Sequence, residues 1–459
     1  MIQRIETVVL KRLPILLFVL AVSFATAGAL TQHPDSDDEN LDPGPRAGTV
    51  DAGGPLANIS PQEQAFFENG LSQFIEVEDV INTSPGNGGL GPTFNSNSCS
   101  SCHSQPAVGG TSPSINAFPF VGQNPQFTVG QSMGGANTIP FFVLPNGPVR
   151  EARFKSDNAV HDLFTIAGRS DAGGCSMAQP DFNQAAAQGN LSFRIPLQLF
   201  GDGLVENIGE DTLMANVATS ANPQLGIQGT FNRSGNDGTI TRFGWKAQNK
   251  SLRMFAGEAY NVEMGVTNEL FTNERGQPPN PIPANCLINS TPEDRTIFES
   301  TTPGGVPSDI DLFRDFMTFL APPTPAAPTP ATVSGQETFA AIGCANCHTP
   351  TLITDLSDTA PALSQVPANL FSDLALHHMG VRLADGITQG NAGPDQFRTA
   401  PLWGLGQRVF FLHDGRTSNL VQAIREHKSQ GSEASRVIDN FENLARGNKQ
   451  NLILFLRSL

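Results

Sequence analysis

Apolar residues along this chain keep a helical period in only a few places. Leu252, Phe255, Ala256 and Ala259 recur at helical spacing, and Glu263 falls on the same face eleven residues after Leu252, so an acid sits on an apolar stripe. Leu420, Ala423 and Ile424 form a second stripe, completed by His427 seven residues after Leu420. Phe441, Leu444, Leu452, Phe455 and Leu456 predict a closing helix over residues 440–459. Two Ser-x-x-Glu capping boxes, Ser60 with Glu63 and Ser334 with Glu337, mark helix starts, and Pro61 occupies the favoured first helical position. Residues 110–240 are rich in Gly, Asn, Gln and Phe with little periodicity, which reads as an elaborated loop region, with weak strand signals at 140–144 and 191–200.

The repeated helix starts and stripes suggest a degenerate tandem repeat. Residues 321–332 read APPTPAAPTPAT, five prolines and no charge, predicting a stiff linker between the two units. The expected organisation is therefore a first unit over 60–320, a linker over 321–333 and a second unit over 334–459. Before them, Arg4, Lys11 and Arg12, an apolar run over 13–24 and small residues at Ala25 and Ala27 have the layout of a secretory signal over 1–29. An uncleaved membrane anchor is the competing reading. Residues 30–59, with the acidic run over 35–39, read as a solvated tail.

Cysteine spacing carries the chemistry. Cys99-Ser-Ser-Cys102-His103 and Cys344-Ala-Asn-Cys347-His348 are c-type haem attachment motifs. Two thiols three positions apart bond the vinyl groups of one haem, and the adjacent His is held beneath the iron as proximal ligand. A zinc ribbon needs partner pairs elsewhere, and a thioredoxin-like motif needs no following His. The fold class expected is mainly α with extensive loops and a few short strands, as two cytochrome c-like haem domains in tandem with the N-terminal one elaborated. Cys175 and Cys286 are left over, an even remainder that suggests a disulfide in an exported protein. With 43 acidic against 27 basic residues, the net charge of −16 argues against a nucleic-acid surface and suits a basic electron-carrier partner.

With the haem motifs stand three longer stretches: LFTIAGRSDAGGC over 163–175, RFGWKAQ to EMG over 242–265, and FRTAPLWGLGQRVFFLHDGRT over 397–417. On these the chain resembles the di-haem oxidoreductase family, a branch of the bacterial di-haem cytochrome c peroxidase superfamily. The resemblance implies a periplasmic or secreted enzyme that reduces hydrogen peroxide at the N-terminal haem. Electrons would come through the C-terminal haem from a small donor protein, a cytochrome c or cupredoxin. It implies Trp245 as a relay between the haems and Glu263 as the acid-base residue of the peroxide pocket. The distal ligand of the second haem lies fourteen residues beyond His413, which is His427, where classical peroxidases have Met. Imidazole in place of thioether lowers the reduction potential. Met379 is the alternative iron ligand, and His377 and His378 compete. His413 is expected to hold a propionate or a backbone carbonyl. The spacing from Trp245 to Glu263 is two residues shorter than in classical peroxidases, and the pocket glutamine of that pattern is replaced near Arg253 or Met254. His161 is a candidate resting ligand of the first haem, and Tyr260, the sole tyrosine, reads as packing with a radical role as the sharper alternative. Two other functions compete: a di-haem oxygenase acting with O₂ on an apolar substrate, and a non-enzymatic electron carrier.

Overall fold

Two helix pairs, each closed by a glycine, organise the computed structural model, which describes residues 38–81, 88–113, 123–132, 136–298, 305–357 and 360–459. The expected export signal over 1–29 lies outside the described residues. In the first pair the Pro61–Phe74 helix crosses Asp309–Phe319, and in the second Pro330–Ile342 crosses Arg446–Leu456. A Cβ on Gly70 would lie 2.3 Å from the Leu312 carbonyl oxygen, and one on Gly335 would lie 2.0 Å from that of Asn451. Backbone therefore meets backbone at both crossings, and the phenylalanines beside the glycines interdigitate. Phe67 and Phe74 pack on Phe316 at 5.5 and 4.7 Å between ring centroids, and Phe339 packs on Phe455 at 5.5 Å.

The Ser60 box forms as expected: the Ser60 amide donates to Glu63 Oε2 at 2.6 Å, and the Glu63 amide donates to Ser60 Oγ at 3.2 Å. The second expected box does not. Its helix begins at Pro330 under a Thr329–Thr332 box, because a proline whose φ is already helical starts the helix before Ser334 is reached. Ser334 is mid-helix, and its carbonyl accepts the Thr338 hydroxyl. The proline stretch before it is a strap tied on both sides. Ala321 and Thr324 donate to the carbonyls of Gly54 and Asp51, and Ala326 donates to that of Ser458 at 2.7 Å.

The described part of the acidic tail is also corrected. Asp38–Leu41 is a 3-10 helix whose Leu41 enters the second apolar core. Asp38 is buried against Lys449 at 2.6 Å and Arg425 at 3.2 Å, and Asp42 takes both Nε and Nη2 of Arg457 at 2.8 Å. Charge density that reads as solvated in sequence is here neutralised by distant cations. The closing helix is two, Ser435–Glu442 and Arg446–Leu456, interrupted at residues 443–445.

Among the described residues four two-stranded antiparallel ladders cover the loops: Thr93–Phe94 with Phe164–Thr165, Glu151–Phe154 with Leu191–Arg194, Leu352–Ile353 with Pro367–Ala368, and Leu376–His378 with Gln396–Arg398. The strand expected over 191–200 is thus its first four residues. Residues 140–144 form a turn instead, closed by the Val143 amide on the Pro140 carbonyl. The Cys175–Cys286 disulfide is formed. Two main apolar cores result, and the first recruits Leu352, Leu363 and Trp403 from beyond the proline strap. No helix among the described residues is long and apolar enough to cross a membrane.

Gly70→Ala and Gly335→Ala should each lower unfolding free energy by about 1–3 kcal/mol, because the new methyl meets a carbonyl that can move only with its helix. Gly447→Ala, with open space at its Cβ, should leave stability unchanged or raise it. Urea titrations of the three variants check the difference.

Candidate active site

Each Cys-x-x-Cys-His motif forms one tight helical turn. The His103 amide donates to the Cys99 carbonyl at 3.0 Å and the His348 amide to that of Cys344 at 2.9 Å, so both sulfurs of a motif face one cavity with the imidazole beside them. Backbone carbonyls orient the rings: Nδ1 of His103 meets the Gly110 oxygen at 3.1 Å, and Nδ1 of His348 meets that of Phe371 at 3.0 Å. Burial pushes both imidazoles down to about 4, which keeps them neutral, the form that ligates a metal. Phe74 stands edge-on to His103 at 6.1 Å and Phe339 tilts over His348 at 6.2 Å, so the helix pairs place the two rings.

The first cavity, about 1080 Å³ including its open mouth, is lined by His103, Glu263, Tyr260 and Trp245. The Leu252–Met264 helix supplies Tyr260 and Glu263. Ser251 caps it, and the Leu252–Ala256–Tyr260 stripe buries its inner face. Glu263 Oε2 accepts Asn95 Nδ2 at 2.9 Å. Burial, with Glu151 and Asp162 close by as like charges, raises the Glu263 carboxyl well above the usual range.

Arg253 and Met254 do not line this cavity, and Arg253 turns outward to Asp311 at 2.8 Å and Glu269 at 2.6 Å. Gln126 and Gln248 line it instead, and Gln248 Oε1 is buried with no hydrogen-bond partner. Gln248 stands ahead of the helix, where a count along the helical stripe does not reach. His161 is not among the lining residues either; it stacks on Phe154 at 3.7 Å and bonds Asp157 at 2.9 Å.

The second cavity, about 1400 Å³ with its mouth, brings together His348, His427, Met379, His377 and His413. His427 ends the Leu420–Glu426 helix, with Nδ1 on the Ala423 carbonyl at 2.8 Å, which leaves Nε2 free. Met379 packs among Ile195, Leu197, Trp245 and Phe397. Both nitrogens of His377 are committed, to Asp373 at 2.9 Å and Glu433 at 2.8 Å, and these carboxylates hold it protonated against the burial penalty. His378 faces solvent with Asp395. His413 lines this cavity, with its ring stacked on Phe397 at 4.4 Å and edge-on to Trp245 at 6.3 Å.

Trp245 lines both cavities and donates Nε1–H to the Ile195 carbonyl at 2.9 Å. Arginines, which no periodicity marks, add positive charge: half-buried Arg150 with buried Arg153 and Arg194 at the first cavity, and buried Arg398 and Arg408 at the second. Arg408 bonds only the Phe410 carbonyl, its Nη2 is buried without a partner, and burial lowers it to about 10. Arg398 Nε and Arg194 Nε are likewise unmatched. Buried donors awaiting an anion, beside paired thiols and a neutral imidazole, fit a haem with its propionates at each cavity.

Residues 164–459 match the family model described as "Di-haem oxidoreductase, putative peroxidase". No curated protein matches the chain. Among solved structures, the diheme peroxidase BthA from Burkholderia thailandensis aligns at 16% identity and TM-score 0.24, covering 33% of this chain and 50% of that one. A MauG-like protein associated with microbial copper homeostasis aligns at 16% identity and TM-score 0.30, covering 56% of this chain and 91% of that one. Hydrazine synthase from Kuenenia stuttgartiensis aligns at 17% identity and TM-score 0.23, covering 34% and 56%. The alignment thus spans about half the length of the Burkholderia peroxidase. With the family model matching well over half of its length and two cavities built alike, the chain belongs to the di-haem oxidoreductase family.

Proposed function

We propose that this protein is an exported di-haem c-type oxidoreductase that reduces hydrogen peroxide in the first cavity, with electrons delivered through the second. Cys99 and Cys102 would hold the first haem covalently with His103 as ligand. Cys344 and Cys347 would hold the second, between His348 and His427. The irons supply the peroxide-binding position and electron storage.

The carrying observation is Glu263, a buried carboxyl of raised pKa in the same cavity as His103. Breaking the O–O bond requires a proton to leave one peroxide oxygen and reach the other, and a carboxyl with a raised pKa can do both. Asn95 donates to Oε2 and holds the carboxyl in place beside the cavity. Such an acid argues against an oxygenase acting on an apolar substrate, since oxygen binding favours an apolar distal side. Trp245, lining both cavities, is the route between them, and its indole N–H is anchored so that the ring keeps one orientation. His427 is the better sixth ligand of the second haem, since its ring is already oriented by the Ala423 carbonyl while Met379 is engaged in the Trp245 cluster. The acidic surface suits a small basic donor protein, and the segment over 1–29 supports export.

Glu263→Gln should lower peroxide turnover on the order of 100-fold or more while the second haem's spectrum stays unchanged. Unaltered turnover would remove Glu263 from the chemistry. As a base Glu263 works ionised, so its raised pKa makes kcat/KM rise with pH through that pKa. Glu151→Gln takes away a like charge, lowers the pKa and moves this limb to lower pH, which a pH profile of the two proteins checks. His427→Met should raise the second haem's midpoint potential on the order of 100 mV, with Met379→Leu leaving it in place. A potentiometric titration giving the reverse pattern would assign the ligand to Met379.

A further inference from the structure

The chain's one tyrosine is bonded unlike an ordinary packed tyrosine. Tyr260 is 2% exposed and lines the first cavity, one helical turn before Glu263. Its hydroxyl lies 2.9 Å from Glu78 Oε1 and 3.0 Å from Asp309 Oδ2. A phenol has one hydrogen to give, so it donates to one carboxylate and accepts from the other, which must carry a proton. Burial and neighbouring carboxylates agree, pushing Glu78, with Asp309 close by, to about 8 and Asp309, with Asp294 close by, to about 7. Glu78 Oε2 is buried with no partner, so this acid has a further position for a proton. The phenol ring meets Phe313 edge-on at 5.0 Å, Phe313 meets Phe74 at 6.1 Å, and Phe74 meets His103 at 6.1 Å.

The contrast with Trp245 gives the arrangement its meaning. The indole N–H of Trp245 faces a neutral carbonyl, which cannot take the proton, so an electron vacancy on that ring stays charged and passes on. The hydroxyl of Tyr260 faces a carboxylate, which can.

Resting on the peroxidase reading above, we infer that Tyr260 is a second electron donor to the first cavity, oxidised with transfer of its phenolic proton to the Glu78–Asp309 pair. Reduction of hydrogen peroxide to two waters consumes two electrons and two protons. When the second cavity supplies only one electron, the other leaves the Tyr260 ring for the oxidised centre beside His103. The phenolic O–H bond breaks, the proton moves to the carboxylate, and a neutral phenoxyl radical is left. Trp245 conducts between the cavities, whereas Tyr260 stores an oxidising equivalent until a donor electron and the returned proton restore it.

The test uses the holoprotein, mixed with one equivalent of hydrogen peroxide without donor and freeze-quenched for EPR. Because the chain has a single tyrosine, ring-deuterated tyrosine labels one position. The expected result is an organic radical whose hyperfine structure collapses on labelling and which is lost in Tyr260→Phe, a change that keeps the ring and its packing. In Glu78→Gln with Asp309→Asn its formation should slow on the order of 100-fold, as for loss of a positioned base. A radical indifferent to the label, or one that persists in Tyr260→Phe, overturns the inference. Peroxide consumption is followed in the same samples. If peroxide is untouched, the peroxidase reading fails by itself, and the holoprotein is then oxidised by flash-generated ruthenium(III) tris-bipyridine. A label-sensitive radical under those conditions upholds Tyr260 as a proton-coupled donor, and its absence overturns that role.

Discussion

Each haem-binding unit hangs on a helix crossing that only a residue without a side chain allows. At Gly70 and Gly335 the two backbones approach so closely that a methyl group would enter a carbonyl oxygen's space. That approach draws Phe74 and Phe339 down onto His103 and His348. The imidazoles are then aimed by carbonyls of following loops, Gly110 and Phe371. The two units share no long stretch of sequence, yet they repeat this order of glycine, phenylalanine and histidine. A chain can change its loops freely while such a crossing persists, because the crossing sets the distance between helices and the loops only close over it.

The same burial that places these rings sets the charge states around them. Desolvation favours the neutral form of every titratable group, so it lowers the pKa of the proximal histidines and raises those of Glu263, Glu78 and Asp309. Where a charge is retained, it has partners or awaits one. Asp385 holds Arg194 at 2.8 Å and Lys246 at 3.1 Å, Asp38 holds Arg425 and Lys449, and Arg408 keeps an unmatched donor at the second cavity. Of the acids with raised pKa, Glu263 lines the first cavity, and the unmatched Arg408 donor stands at the second.

The two cysteine motifs, the acid on its apolar stripe and the histidine closing the second stripe are local patterns, and each could be read in the sequence because covalent spacing and helical period are short-range constraints. The Ser60 box and the Cys175–Cys286 pairing were legible for similar reasons, one by spacing and one by count. Where the reading went astray, a contact from far along the chain decided. The tail with Asp38 and Asp42 looks solvated until Lys449, Arg425 and Arg457 meet it. The stiff Pro-rich linker is tied down by Gly54, Asp51 and Ser458, which its sequence does not show.

What the sequence by itself determined is therefore the inventory: two haem motifs, the helices that carry His427 and Glu263, and a net charge of −16. Only the tertiary structure decided which groups share a cavity. It placed Trp245 at both sites, replaced Arg253 with Gln248, removed His161, committed His377 to two carboxylates and set Tyr260 between Glu78 and Asp309. The physical reason is range. Helical period and motif spacing act over a few residues, whereas desolvation and charge pairing depend on every group that packing brings near, wherever it lies in the chain.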